Sequence, residues 1–323
     1  MQKKVQEALS VRDVWRAKKR TEGIVSKTPL VYSEPLSDLS KANVYLKLEN
    51  TQPTGAFKLR GAANKILSLT EQEKAKGVAT FSTGNHGIAV AYVAKELGIP
   101  ATVCISNRVP QEKVNKLKRL NAHVEVVGEN QDDAEHYCYE LEKTAGVSVI
   151  KPFDDPHIIA GQGTIGLEIM EQCPDVDQAI IPLSGGGLLS GIGFVLKAMD
   201  TDINVTGVSM ENAAVMHESL KQGHPVVLKE SDTLADSLLG GLGPNNQHTF
   251  EMTKAYMDQS VLVSENSIAK GIIFMLQYHK MAVEGAAGSV IAWLLDGNGT
   301  PSDTIVLVIS GNNIDHATIK ELI

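Results

Sequence analysis

Apolar and polar positions along this chain follow two periods, and the switch between them outlines the fold. Residues 43–49 alternate every second position, with Val44, Leu46 and Leu48 on one face and Tyr45 and Lys47 on the other, which predicts a strand. Before it, residues 10–20 read as a helix with Ser10 as N-cap and Asp13 three positions on, and 28–32 as an extended piece. From Gly77 onward short apolar runs alternate with helix-periodic ones. Strands are predicted at 78–81, 101–105, 123–127 and 147–150, and helices near 87–97, 111–120 and 132–144. A second series follows: helix 158–171, strand 179–183, helix 188–198 and strand 204–210. Beyond a looser stretch at 221–246 come strand 261–263, helices near 267–278 and 284–295, and strand 304–309. This alternation predicts an α/β fold of mostly parallel sheets with covering helices, in two units. The polar segments 70–76 and 153–156 are the candidate hinges.

Composition narrows the picture. A chain of 323 residues, 43% apolar and 21% charged, can bury one large core or two ordinary ones. A net charge of −8, with no basic cluster outside short helical faces, argues against a nucleic-acid partner. Cys104, Cys138 and Cys173 are widely spaced and form no C-x-x-C, as expected of reduced thiols packed as small hydrophobes. Residues 1–20 lack the apolar core of a signal peptide, and no apolar run approaches the ~20 residues that span a bilayer. A cytoplasmic protein without membrane contact is the expectation.

Three stretches carry candidate chemistry. Pro53-Thr54-Gly55-Ala56-Phe57-Lys58-Leu59-Arg60-Gly61 places Lys58 after a turn signal and at the start of a helix-periodic run. Desolvation and the positive end of a helix both disfavour an ammonium there, and a neutral amine can attack a carbonyl. The plain alternative is a surface lysine whose stem packs on Phe57. Ser82-Thr83-Gly84-Asn85-His86-Gly87 lies between a strand and a helix, where outward N–H groups suit an anion such as a carboxylate. It also reads simply as a capped βα turn. Ser184-Gly185-Gly186-Gly187-Leu188-Leu189-Ser190-Gly191 lets the backbone wrap a phosphate, and the absence of a Walker Lys-Ser/Thr argues against a triphosphate.

Two further motifs complete the set. Ser310-Gly311-Asn312-Asn313 ends the last strand, as a turn or a ligand contact. Gly161-Gln162-Gly163-Thr164-Ile165-Gly166 matches the dinucleotide fingerprint of an NAD oxidoreductase, but the residues before it look helical rather than strand-like, which favours helix packing. The histidines show no metal-ligand spacing, and His86 is better placed to orient than to act as a base.

Phe57-Lys58-Leu59-Arg60-Gly61 resembles the cofactor-lysine motif of the fold-type II pyridoxal-phosphate enzymes, with the serine/threonine dehydratases and serine racemase as the nearest groups. The resemblance runs from about Thr28 to Asp315. It implies a tryptophan synthase β-like architecture, with a small domain, 68–153, inserted in a large one, 1–67 and 154–323, and a homodimer. It implies pyridoxal 5′-phosphate anchored on Lys58, which then serves as general base, with Phe57 packed on the ring and Asn85 at its hydroxyl. The phosphate would lie on Ser184, Gly185, Gly186, Gly187 and Leu188, the substrate carboxylate on Ser82, Thr83, Gly84 and His86, and Ser310 would face the ring nitrogen. Thr83 stands where the racemases carry a second catalytic serine, and is a candidate catalytic residue. The cation ligands of serine racemase fall on Ser209 and Val215, so no metal is expected.

A hydroxyl facing the ring makes the cofactor a weaker electron sink and favours elimination. The implied reaction is loss of water from a 3-hydroxy amino acid, threonine or serine, giving a 2-oxo acid and ammonia. Within the family, Gln52-Pro53-Thr54-Gly55, Thr233-Leu234-Ala235-Asp236-Ser237-Leu238 and Ser310-Gly311-Asn312-Asn313-Ile314-Asp315 are closest to the hydroxyectoine-utilisation dehydratases. Ala56 stands where most relatives have Ser, and Asn312 where that subgroup tends to have Arg. A modified 3-hydroxy amino acid is therefore the alternative substrate, with racemase activity, an NAD oxidoreductase and a non-catalytic phosphate-binding module as the remaining readings.

Overall fold

Ser10 starts the first described helix, α1 (Val11–Arg20): its side chain accepts from the Asp13 N–H while Asp13 reaches back to the Ser10 N–H. The computed structural model describes residues 9–323 except 110, 130, 230, 244 and 302, and the side chain of 131. Ten strands form two sheets among these residues. The larger has the order β1 (Leu30–Tyr32), β2 (Asn43–Leu48), β10 (Thr304–Ile309), β7 (Gln178–Pro182), β8 (Asn204–Met210), β9 (Gln259–Val263). Only β1, on β2, is antiparallel. The smaller has the order β5 (His123–Val126), β4 (Ala101–Ile105), β3 (Val78–Thr80), β6 (Ser148–Val149), all parallel, and comes wholly from between β2 and β7 in the chain.

Parallel strands covered on both faces read as unbroken apolar runs, and β10 does so. Ile305, Leu307 and Ile309 pack into one core with α12 (Glu265–His279) and α13 (Gly285–Leu295), while Val306 and Val308 pack into a second with α9 (Gly187–Met199). The smaller sheet is faced by α5 (Asn85–Leu97) and α6 (Gln111–Arg119) and by α7 (Gln131–Ala145).

Between the two sheets run α3 (Lys58–Ser68) and α8 (Pro156–Gln172), the latter capped by Asp155 with Pro156 in its first turn. The glycines of the dinucleotide fingerprint lie inside α8. A side chain on Gly161 would fall 2.6 Å from the Arg60 carbonyl oxygen, and one on Gly166 2.9 Å from Val195. They are the points where α8 meets α3 and α9, so the fingerprint has neither the strand nor the turn that dinucleotide binding needs.

Two expectations change. Segment 70–76, read as a hinge, is mostly a helix, α4 (Glu71–Lys76), because Thr70 and Glu73 form a capping box. Short helices α2 (Glu34–Ser40), α10 (Val215–Gln222), α11 (Thr249–Tyr256) and α14 (His316–Leu322) also form where no helix is predicted. Each spans about two turns, too few for a 3.6-residue period to register. No helix among the described residues is long and apolar enough to cross a membrane.

Candidate active site

Lys58 is the first residue of α3, and the end of β10 fixes where that helix begins. The Phe57 N–H donates to the Ser310 carbonyl at 3.0 Å, Ala56 pairs with Gly311, and the Asn312 N–H donates to the Gly55 carbonyl at 2.9 Å. Gly55 takes a left-handed conformation, φ +76°, which the turn requires. The lysine turn is thus stitched to the carboxyl end of a central strand, where ligands bind in open α/β sheets.

The Lys58 Nζ donates to the Pro152 carbonyl at 2.8 Å and lies 5.3 Å from the Phe57 ring centre. Burial pulls its pKa down to about 8, against a smaller upward pull from the Glu284 charge. Burial, rather than the helix end, is the principal cause. At neutral pH an appreciable fraction of Lys58 is therefore the free amine, unlike an exposed lysine.

Phe153, next to Pro152, joins the lysine to the glycine turn. A side chain on Gly185 would fall 2.6 Å from the Phe153 ring, and one on Gly187 2.9 Å from its Cβ. Gly186 has φ +84° and caps α9, whose first internal bond runs from the Ser190 N–H to the Gly186 carbonyl at 2.8 Å. The N–H groups of Gly187 and Leu188 precede that bond and have no partner within the helix. Ser184 stays out of the left-handed region, so a serine there is unstrained. The Leu188 side chain points into the core; only its backbone can serve the turn.

At the opposite wall, α5 starts two residues earlier than its periodicity predicts, at Asn85, leaving Ser82, Thr83 and Gly84 as a half-buried loop before it. Asn85 and His86 are buried in the first turn. The His86 Nε2–H donates to the Ile150 carbonyl at 2.9 Å, which leaves Nδ1 a bare acceptor with no partner among the described residues. Burial, with the Lys58 charge, pushes its pKa down to about 3, so the ring is neutral and too weak to act as a general base near pH 7. The Ser310 hydroxyl, 1% exposed, likewise has no partner. Two orphaned polar atoms flanking a lysine are what a site for a polar ligand looks like.

Glu284 belongs to this site and was missed. Both oxygens of its carboxylate accept from the Asn85 amide nitrogen, at 3.0 and 2.8 Å, and one also accepts from the Ser237 hydroxyl at 3.3 Å, while the Asn313 amide donates to the Asn85 Oδ1 at 2.6 Å. Burial raises its pKa. The available signal was that Glu284 is the only charge between Met281 and Leu295. Asp154 lies in the segment 153–156, whose polarity in the sequence predicts only a hinge. A cavity of about 500 Å³ lined by Gln52, Tyr92, Lys116, Arg119 and Asn313 lies beside the site, but Lys58, Ser310 and the glycine turn do not line it.

A sequence profile described as pyridoxal-phosphate dependent enzyme matches residues 21–311. The chain belongs to the pyridoxal-phosphate dependent enzymes. It is 46% identical over 316 residues, 98% of this chain and 95% of the relative, to a Sinorhizobium fredii protein provisionally named threonine dehydratase. It is 39% identical over 315 residues, 98% of this chain and 78% of the relative, to L-threonine ammonia-lyase of Thermotoga maritima. Maize serine racemase superposes with a TM-score of 0.92 at 30% identity, covering 97% of this chain and 96% of that one. The fold is that of the fold-type II pyridoxal-phosphate enzymes, and the protein is a pyridoxal-phosphate-dependent lyase.

In a pyridoxal-phosphate enzyme the Glu284 charge has a measurable consequence. Because it raises the Lys58 pKa, Glu284→Gln should lower it further. The pH at which the Lys58 amine of the apoenzyme becomes reactive toward an amine-directed reagent should then move down. An unshifted pH profile would count against this coupling.

Proposed function

We propose that the enzyme eliminates water from a 3-hydroxy amino acid of the threonine or serine type, releasing a 2-oxo acid and ammonia. The unpartnered Ser310 hydroxyl, on the strand end that positions Lys58, carries this reading. A neutral hydroxyl can meet a pyridine nitrogen without fully protonating it, whereas an aspartate would hold the ring charged and favour a long-lived carbanion. The relatives at 46% and 39% identity, named for threonine dehydratase and ammonia-lyase activity, support the same class.

The residues fit the cofactor: Lys58 as its anchor, Gly185–Leu188 with Ser184 around the phosphate, Phe57 beside the ring, and Ser310 at the nitrogen. When bound, the cofactor supplies the sink for the electron pair left at Cα. Lys58 would be the base that takes the α-proton onto Nζ. The N–H groups at the start of α5, with Ser82, Thr83 and Gly84, hold the carboxylate, while the His86 ring, whose free Nδ1 can only accept, does not. Asn85, held by Glu284 and Asn313, would hold the cofactor at its ring hydroxyl. Loss of the β-hydroxyl as water leaves an enamine that water hydrolyses to the 2-oxo acid and ammonia.

The protein is taken to act as a cytoplasmic homodimer, with domains 1–67 plus 154–323 and 68–153 closing on a small amino acid. The deciding measurement is ammonia and 2-oxo acid release across 3-hydroxy amino acids. Threonine or serine should lead; turnover only of a larger, modified acid would favour the hydroxyectoine-type substrate. A colourless protein that pyridoxal 5′-phosphate cannot reconstitute would remove the reading altogether.

A further inference from the structure

The chain crosses back from the smaller sheet to the larger along residues 150–155, and this crossing touches His86, Lys58 and the glycine turn. The Ile150 carbonyl holds His86, the Pro152 carbonyl holds Lys58, and Phe153 backs Gly185 and Gly187. The next residue, Asp154, is 6% exposed and makes no ion pair among the described residues. Its carboxylate instead accepts three successive backbone N–H groups: Gln247 at 2.8 Å, His248 at 2.9 Å and Thr249 at 2.9 Å. These groups lead into α11, where no side chain of the N-cap residue, His248, caps the helix.

The start of α11 in turn backs the glycine turn. A side chain on Gly186 would fall 2.6 Å from the Thr253 hydroxyl and 3.3 Å from the Thr249 Cβ. The turn is therefore backed by Phe153, by α11 and by Met216 of α10, and Asp154 joins the first two, adjacent to Phe153 in the chain and bonded to the start of α11. We infer that Asp154 is a positioning residue for the cofactor phosphate: it clamps the start of α11 to the crossing segment and so sets the shape of the turn at Gly185–Gly187. A buried carboxylate bound only by amides is well suited to this, because such charge-assisted bonds are short and directional. Asp155, by contrast, caps α8 and pairs with Lys65, and does not touch the turn.

This inference rests on the proposal that the glycine turn takes the phosphate, and the test separates the two. Apoenzyme is titrated with pyridoxal 5′-phosphate and with pyridoxal, which lacks the phosphate, following protein fluorescence, and inorganic phosphate is added as a competitor. Wild type should bind the phosphorylated form more tightly. Asp154→Ala should weaken pyridoxal 5′-phosphate about tenfold or more, leave pyridoxal unchanged and blunt competition by phosphate. Asp154→Asn keeps an acceptor but loses the charge; it should fall between, and it serves if the alanine variant does not fold. A general loss of structure would weaken both ligands alike. Equal weakening of both, or no weakening of either, overturns the role of Asp154. A wild type with no preference for the phosphorylated form overturns the phosphate turn and this inference with it.

Discussion

Lys58→Ala should leave no measurable 2-oxo acid release from any 3-hydroxy amino acid, a loss of at least about 10⁴-fold. No neighbour can take over as base. His86 is neutral with a pKa of about 3. Glu284 is committed to the Asn85 amide and the Ser237 hydroxyl. Lys47 is tied to Glu168, and Lys116 donates to Asn313. Lys58→Arg should be as inactive, since a guanidinium stays protonated at working pH. Borohydride reduction of the wild-type holoenzyme should fix the cofactor on the peptide carrying Lys58, and none should be fixed in the variant. Residual turnover above about 1% of wild type would refute the role of Lys58, because a positioned base contributes more than that.

The same residue leaves a mark on apoenzyme stability. Its pKa falls from 10.5 to about 8 on folding. Between those values the unfolded chain holds the proton and the folded chain does not, so stability should rise with pH across that window and be lost as pH falls through about 8. Chemical denaturation of Lys58→Ala apoenzyme across that range should lack the rise.

Arg60→Met should produce the largest loss of stability. Arg60 is 1% exposed, with its Nε and Nη2 on the two oxygens of Glu49, at 2.7 and 2.8 Å, and its Nη1 and Nη2 on those of Glu168, at 2.7 and 2.9 Å. Lys47 completes a buried group of two cations and two anions by donating to Glu168 at 2.6 Å. Removing Arg60 leaves two buried carboxylates facing one lysine, a change that costs about 3–5 kcal/mol. The deficit should shrink in acid: an unpaired carboxylate takes up a proton more readily folded than unfolded, so stability falls as pH rises above the ordinary carboxylate pKa. Urea denaturation at pH 5 and pH 8 tests this, and an equal deficit at both would sink the account. Because Arg60 sits two residues from Lys58 and ties α3 to the end of β2 and to α8, the surviving folded fraction should also turn over more slowly.

Periodicity and local chemistry alone determined most of the frame. The unbroken apolar run of β10, the alternation in β2 and the regular sequence of strands and helices follow from which faces must leave water, and that is written locally. So is the turn chemistry around Lys58, Gly84 and Gly185–Gly187, because glycine and N-terminal amides act over a few residues. Contacts between distant parts of the chain were not legible. Nothing near Glu284 in sequence shows that its carboxylate meets Asn85, 199 positions away, and nothing near Asp154 shows that it meets the amides of 247–249. Nor can a local pattern tell that the glycines of α8 are contact points between helices. Burial, which lowers the Lys58 pKa and orphans the Ser310 hydroxyl, exists only once the two sheets and the helices between them have come together. The kinds of residue in the site are a property of the sequence; their protonation states and partners are properties of the packed chain.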